Sequence, residues 1–542
     1  MLRFVAKLTN ARVWAGKVTA AAVLAGGMSV FGGTAAQAAE INLISKETGF
    51  VLTGELVSFD GSNYVIDSSI GKLTVGSDQV TCEGPGCPNA AAPVATLSSS
   101  IGVYGSNMIG ASLMPGLIEA YSESLGSVVE REIGANARQV KMRLRGQDGA
   151  EIASIDLRAD GSANAFPGLI SGQAAIGMSS RQVSRQEITA LERAGIPQIS
   201  SAGREHVLAL DGLIVVVSQR NPLRSISAED LADVFSGAVN NWAALGGPDA
   251  PINVYMREPG SGAHDTFSER VLAPRGLSVS PNARIISSAR RLSDSVAQDP
   301  NGVGVTGIAY ERNGRALAIE TSCGLVVEPS EFNVKTEEYP LTRRLYLYTS
   351  GAPLHQSAKG LLDYSLSDDA QGQIADLGFV NQEITTISLN QQGRRITEAF
   401  LLLRDPNAMD AMRELAQELL DAVRLSTTIR FQSNSTALDV KSSGDLSRLA
   451  RRVASGALDG KEVVLIGFAD DSSEFAANVS LSQQRSIQIR AEFERELASV
   501  GALGRINVAT MGYGDLAPVA CNNGSLSQAS NRRVEVWVRE RL

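Results

Sequence analysis

The chain has 542 residues, 44% hydrophobic and 20% charged, a balance that fits folded soluble domains. At roughly 100–200 residues per domain, that length predicts three or four of them. Its net charge of -9 and the lack of a dense basic patch argue against nucleic acid as the main partner. With His206, His264 and His355 as its only histidines and no His/Cys group at ligand spacing, no metal or cofactor is expected.

In chain order, residues 1–38 read as an export signal. Arg3, Lys7, Arg12 and Lys17 precede an apolar run from Val18 to Phe31, which ends in Ala36-Gln37-Ala38. The run is too short and too rich in Ala and Gly for a membrane span. Residues 40–90 read as a small β domain. Val51–Val57 and Tyr64–Asp67 flank Asp60-Gly61, a hairpin signal, and Leu73-Thr74-Val75 adds a strand. Cys82 and Cys87 bracket Glu-Gly-Pro-Gly, a turn suited to a small disulfide loop in an oxidising compartment. Cys323 and Cys521 have no neighbours in sequence, which leaves their pairing open. Ala90–Pro93 reads as a linker.

Residues 98–385 alternate strands and helices, the pattern of a mostly parallel sheet. Four short polar turns recur there: Gly105-Ser106-Asn107, Asp160-Gly161-Ser162-Ala163, Gly177-Met178-Ser179-Ser180-Arg181 and Arg257-Glu258-Pro259-Gly260-Ser261-Gly262-Ala263. In the last, Gly260 and Gly262 allow a tight turn into a helix whose first N–H groups can face a ligand. Ser261 adds a hydroxyl, and Arg257 adds a planar fork for two oxygens. Several such turns in one α/β region predict a pocket for a tetrahedral oxyanion. Ser261, His264 and Asp265 include the residue types of a hydrolase triad, yet consecutive positions at one helix start cannot align as nucleophile, base and orienter. A binding protein, not an enzyme, is expected.

These turns, with Ile226–Leu231, Val234-Phe235-Ser236-Gly237, Asn241-Trp242, Gly246-Gly247-Pro248 and Tyr339–Tyr346, resemble the phosphate-binding proteins of ABC importers. The resemblance implies two α/β lobes closing on the ligand, with crossovers near residues 206–218 and 339–349. It also implies phosphate contacts at Ser106, Asn107, Ser162, Ser180, Arg181, Arg257, Ser261, Gly262 and Ala263. Two positions depart from the common pattern: Ala263 and Met108 stand where many relatives have threonine. Ser180 stands where one branch has the aspartate that accepts the proton of hydrogen phosphate. A serine accepts a hydrogen bond less insistently than a carboxylate, so discrimination against sulfate is weakened.

Residues 386–425 read as a helical connector, with Leu415, Leu419 and Val423 at helical spacing and Asp405-Pro406-Asn407 as an interruption. Residues 426–542 resemble the OmpA-type peptidoglycan-binding domain. The matching residues are Asn478, Leu481-Ser482, Arg485, Gly512-Tyr513-Gly514, Pro518, Asn522 and Asn531-Arg532-Arg533-Val534. By that resemblance Asp470 and Arg485, with Asn478 nearby, hold the zwitterionic end of diaminopimelate in the peptide stem. Phe468-Ala469 replaces the family's usual His-Thr before the aspartate.

The expected fold class is α/β: a two-lobed periplasmic-binding-protein fold with a small N-terminal β domain and a C-terminal α+β OmpA-like domain. The expected function is capture of phosphate or a related oxyanion in the periplasm by a protein moored to the cell wall, with an ABC permease as the family's partner. The alternative is a wall-bound structural or adhesive envelope protein whose lobes bind another ligand or none.

Overall fold

The computed structural model describes residues 40–46, 50–59, 63–68, 71–77, 79–83, 87, 100–136, 138–403, 406–431, 437–471, 473–522 and 525–540. The expected export signal, the Asp60-Gly61 turn and the Ala90–Pro93 linker lie outside them. The chain divides into two compact units, Met1–Leu97 and Ser98–Leu542.

The first unit is an antiparallel sheet of β1 (Glu40–Ser45), β2 (Val51–Phe59), β3 (Asn63–Ser68), β4 (Gly71–Gly76) and β5 (Val80–Glu83), in the order β4-β3-β2-β1-β5. Ile41, Leu43, Tyr64, Ile66 and Val80 form its core, and in β1 and β3 they fall at every second residue, as one buried face of a sheet requires. Cys82 and Cys87 are bonded at the end of β5.

The second unit opens with a lobe built on β6 (Ser100–Gly105), β7 (Val128–Ile133), β8 (Gln139–Arg145), β9 (Glu151–Arg158) and β10 (Ile176–Ser179). β6 lies parallel to both β9 and β10. β11 (Glu205–Val217) then crosses to a second lobe of β12 (Ser225–Ser227), β13 (Asn253–Met256), β14 (Arg284–Ile285), β15 (Gly302–Gly307), β16 (Arg315–Glu320) and β17 (Val326–Val327). β18 (Thr342–Tyr348) crosses back. The two crossovers pair antiparallel, and β11 contributes to both cores. In β11, Leu208 and Ala209 belong to the first and Leu213, Val215 and Val217 to the second.

The sheet is less parallel than expected. β11 pairs antiparallel with β15, β16 and β18, and β18 does so with β10. The physical reason is the pair of crossovers: two strands passing between lobes in opposite directions sit at the centre of the sheet.

A third sheet, ordered β19-β20-β23-β21-β22, comprises β19 (Thr386–Ser388), β20 (Val423–Arg430), β21 (Lys461–Phe468), β22 (Asn507–Gly512) and β23 (Arg533–Glu540). One face packs on helices Val440–Ala454 and Phe475–Ser499 through Leu446, Val453, Leu465, Ile489 and Phe493. The other is covered by Ala408, Met412 and Leu415 of helix Pro406–Glu418, over Val464, Ile466 and Trp537. Residues 386–425 are therefore part of this domain's layers. The helical reading overran at Val423, which opens β20 between Ser388 and Val538. Backbone partners on both sides outweigh side-chain periodicity there.

The lobes and the C-terminal domain are joined covalently by Cys323–Cys521, the pairing the sequence left open. Arg344 of β18 binds both Glu337 (2.5 Å) and Asp439 (2.7 Å), the residue that caps helix Val440–Ala454. Arg424 of β20 pairs with Glu338 and lies 3.1 Å from Glu535, which also takes Arg395 and Arg533. Burial alone would raise the carboxyl pKa values of Glu337 and Glu535; the surrounding guanidinium groups outweigh it and hold both far below the usual range.

Candidate functional site

Three of the four polar turns meet at the ends of first-lobe strands. Gly105, after β6, has φ 135° and lies so close to β10 that a Cβ would stand 2.0 Å from the Met178 carbonyl oxygen, so only glycine fits. The Gly161 amide donates to the Gly105 carbonyl (2.8 Å), and the Ser106 amide to Met178 (2.8 Å). The Ser180 amide donates to Ser162 Oγ (3.0 Å), and the two hydroxyls are 3.2 Å apart. Ser106, fully buried, accepts from the Ile109 amide (3.4 Å).

The fourth turn meets them from the second lobe. Ser261 caps helix Gly262–Phe267, accepting from the His264 amide (3.3 Å). Gly262 faces the first lobe: a Cβ there would stand 3.2 Å from Arg343 Nη1, 3.3 Å from Met108 Cβ and 3.6 Å from Ser180 Oγ. Asn107 donates to the Gly260 carbonyl, a contact between lobes. Ser106, Asn107, Ser162, Ser180, Ser261 and Gly262 thus form one constellation.

The remaining three expected contacts stand differently. Arg181 makes two bonds to Glu187 (2.7 and 2.8 Å), whose carboxylate also completes the capping box of helix Arg185–Arg193. Arg257 turns its Nε and Nη2 onto Glu258 (3.1 and 3.2 Å) and Nη2 also onto the Ser287 carbonyl (3.0 Å). Ala263 is buried in the second-lobe core, so its methyl serves packing and its amide is what a ligand would meet. The triad residue types do not form a relay: Ser261 is bonded to the His264 backbone, and the His264 ring to Asp265 (3.3 Å).

Sequence reasoning missed Arg343 as a site residue. It is buried against Asp211, to which Nε and Nη2 donate (3.0 and 2.7 Å), while Nη1 donates to Thr266 (2.8 Å) and the Gly262 carbonyl. Asp211 and Arg343 are direct cross-strand partners on the crossovers. A signal existed: Asp211 is a charge within the apolar stretch Val207–Val217, where an unpaired ion would be too costly to bury.

In the C-terminal domain, Gly467 and Gly512 let helix Phe475–Ser499 press on the sheet, since a Cβ at Gly467 would meet the Ser482 carbonyl at 2.0 Å. That approach brings Arg485 to the end of β21, where Nη1 donates to the Phe468 carbonyl (3.4 Å). Asp470 pairs with Arg532 (2.6 Å), another residue the sequence reading did not place in the site. Burial first, then the Arg532 charge, lowers the Arg485 pKa, against the pull of Asp470. Asn478 donates to the Ser473 carbonyl (2.9 Å), and its buried Oδ1 has no partner among the described residues.

Comparison with known proteins agrees with this architecture. Residues 137–369 match a PBP superfamily domain and residues 430–532 the OmpA family, so both matches fall on one chain in this order. The Borreliella burgdorferi phosphate-binding protein PstS is 23% identical over 227 residues, 41% of this chain and 77% of that protein. Protein SphX of Synechococcus elongatus is 31% identical over 212 residues, 36% of this chain and 60% of that protein. The Bacillus subtilis phosphate-binding protein PstS is 27% identical over 245 residues, 45% of this chain and 76% of that protein. A solved ABC-type phosphate transport receptor from Vibrio cholerae aligns with 52% of this chain and 99% of its own, at 22% identity and a TM-score of 0.40. The two PstS relatives are named as phosphate-binding proteins, in keeping with the expectation of a non-enzymatic chain.

Proposed function

We propose that the chain captures inorganic phosphate, or a related tetrahedral oxyanion, between its lobes while moored noncovalently to peptidoglycan in the periplasm. The observation that carries this reading is the meeting of four polar turns from two lobes on one spot. Ser162, Ser180 and Ser261 supply hydroxyls, and the start of helix Gly262–Phe267 supplies free amides. Arg257 supplies charge by turning from Glu258 to the ligand, and closure brings the last donors in. The named binding activity of the relatives supports the same ligand. In the C-terminal domain, Asp470 and Arg485 are the carboxylate and guanidinium that would complement the ammonium and carboxylate of diaminopimelate, with Asn478 fixing the loop between them. An ABC permease is the partner that the transport relatives imply.

The second reading, a wall-bound envelope protein whose lobes take another ligand or none, is favoured by one observation. Both cleft arginines, Arg257 and Arg343, are already satisfied by carboxylates of the chain. Calorimetric titration of the full chain with phosphate, then sulfate, decides between them. Micromolar or tighter phosphate binding, about -8 kcal/mol, that weakens at least tenfold in Arg257→Ala establishes the capture reading. No heat from either anion would leave the second reading standing.

A further inference from the structure

Beside Ser180 lies a cavity of about 600 Å³, walled by the loop after β10, by Thr266, Glu269 and Arg270, and by β18, with Asp439 of the C-terminal domain completing it. A lone oxyanion fills little of that space, whereas pockets of roughly 300–1,000 Å³ hold small organic ligands. Most charges on the wall are matched within the chain: Arg181 by Glu187, Arg343 by Asp211, and Arg344 by Glu337 and Asp439. Two are not. Arg270 donates through Nη1 to the Thr342 carbonyl and has no carboxylate at ion-pair distance among the described residues. Glu269, its neighbour in sequence, has neither a hydrogen-bond nor an ion-pair partner among them. Arg270 is exposed at the cavity wall, where an incoming anion can reach its guanidinium.

We propose that the cleft takes a phosphomonoester whose organic part carries a second acidic group and a hydrogen-bond donor. The phosphoryl group sits at Ser162 and Ser180, the second acid on Arg270, and the donor on Glu269. This rests on the oxyanion reading of the cleft and names the ligand class for it. Orthophosphate is held by the serines, the helix amides and Arg257 alone. An ester with a second acid also meets a guanidinium that the fold has left unmatched.

The test is calorimetry on the full chain with orthophosphate, glycerol 3-phosphate, 3-phosphoglycerate and O-phosphoserine. The last two should bind at least tenfold tighter than the first two. Arg270→Gln should remove that advantage while leaving orthophosphate affinity within twofold, because one charge-assisted pair is worth roughly a factor of ten. Glu269→Gln, an exposed change that spares the fold, should weaken O-phosphoserine severalfold and leave orthophosphate alone. Orthophosphate binding without competition from any ester would overturn the inference and leave the oxyanion reading intact. Ester binding that ignores both substitutions would overturn it too, and silence from all four anions would take both readings down together.

Discussion

The anion cleft and the interface between the lobes and the C-terminal domain use different polar groups to opposite ends. At the interface, Arg395, Arg424 and Arg533 converge on Glu535, Arg424 adds Glu338, and a disulfide stands at Cys323–Cys521. Every cation there has a carboxylate from the chain, and the carboxyl groups of Glu337 and Glu535 are held ionised in the dry contact. In the cleft, Ser162 and Ser180 of the first lobe bond each other and Ser261 of the second accepts from the His264 amide, so their partners are other weak donors and acceptors. Charges matched internally make a fixed joint. Donors left loosely matched make a place where an outside anion can compete.

The contrast can be broken first at Glu535. Replacing it by alanine leaves three guanidinium groups, those of Arg424 and Arg533 fully buried, without their shared carboxylate, and the expected loss is about 3–5 kcal/mol in urea unfolding. Acid should reach a similar end in the native chain. The folded pKa of Glu535 lies below its unfolded value, so its stabilisation is complete above the ordinary carboxyl range and falls away as pH drops through the folded value. A Glu535→Ala chain as stable as wild type would show the network to be incidental.

Next in size is the covalent joint. Cys323→Ser with Cys521→Ser opens a loop of sequence separation 198, and the expected loss is about 2–5 kcal/mol. Calorimetry should then resolve the single transition into separate lobe and C-terminal events. One unsplit transition would mean that the ion pairs alone hold the joint.

The smallest change in stability belongs to the cleft. Ser162→Ala removes the acceptor for the Ser180 amide and should cost about 1 kcal/mol of stability. Phosphate affinity should fall roughly tenfold, since the same oxygen would serve the ligand. The same stability loss with phosphate affinity unchanged would place Ser162 on the structural side of the comparison.

Much of this was legible in the residues. Serines in short polar turns at strand ends announce anion-facing sites, because the helix starts that follow leave their first amides unpaired, and the turns of Ser106, Ser162, Ser180 and Ser261 do meet. Alternating apolar residues in residues 40–90 announced a small sheet, and Tyr64 and Ile66 fill its core. What was not legible depended on which distant residues become neighbours. Arg181 and Arg257 look like ligand arginines in sequence, yet Glu187 and Glu258 hold them. Asp211 and Arg343 are 132 positions apart, and only the register of β11 on β18 makes them a pair. Cys323 and Cys521 are farther apart still.

The sequence by itself determined the elements, the two resemblances and the positions of the polar turns, because propensity, turn chemistry and periodicity act over a few residues. The tertiary structure alone decided which charges are satisfied, that Thr386–Ser388 and Val423 are strand in the C-terminal sheet, and that the lobes and that domain share one buried joint. Electrostatic partnership is set by distance in space, and chain order does not encode it.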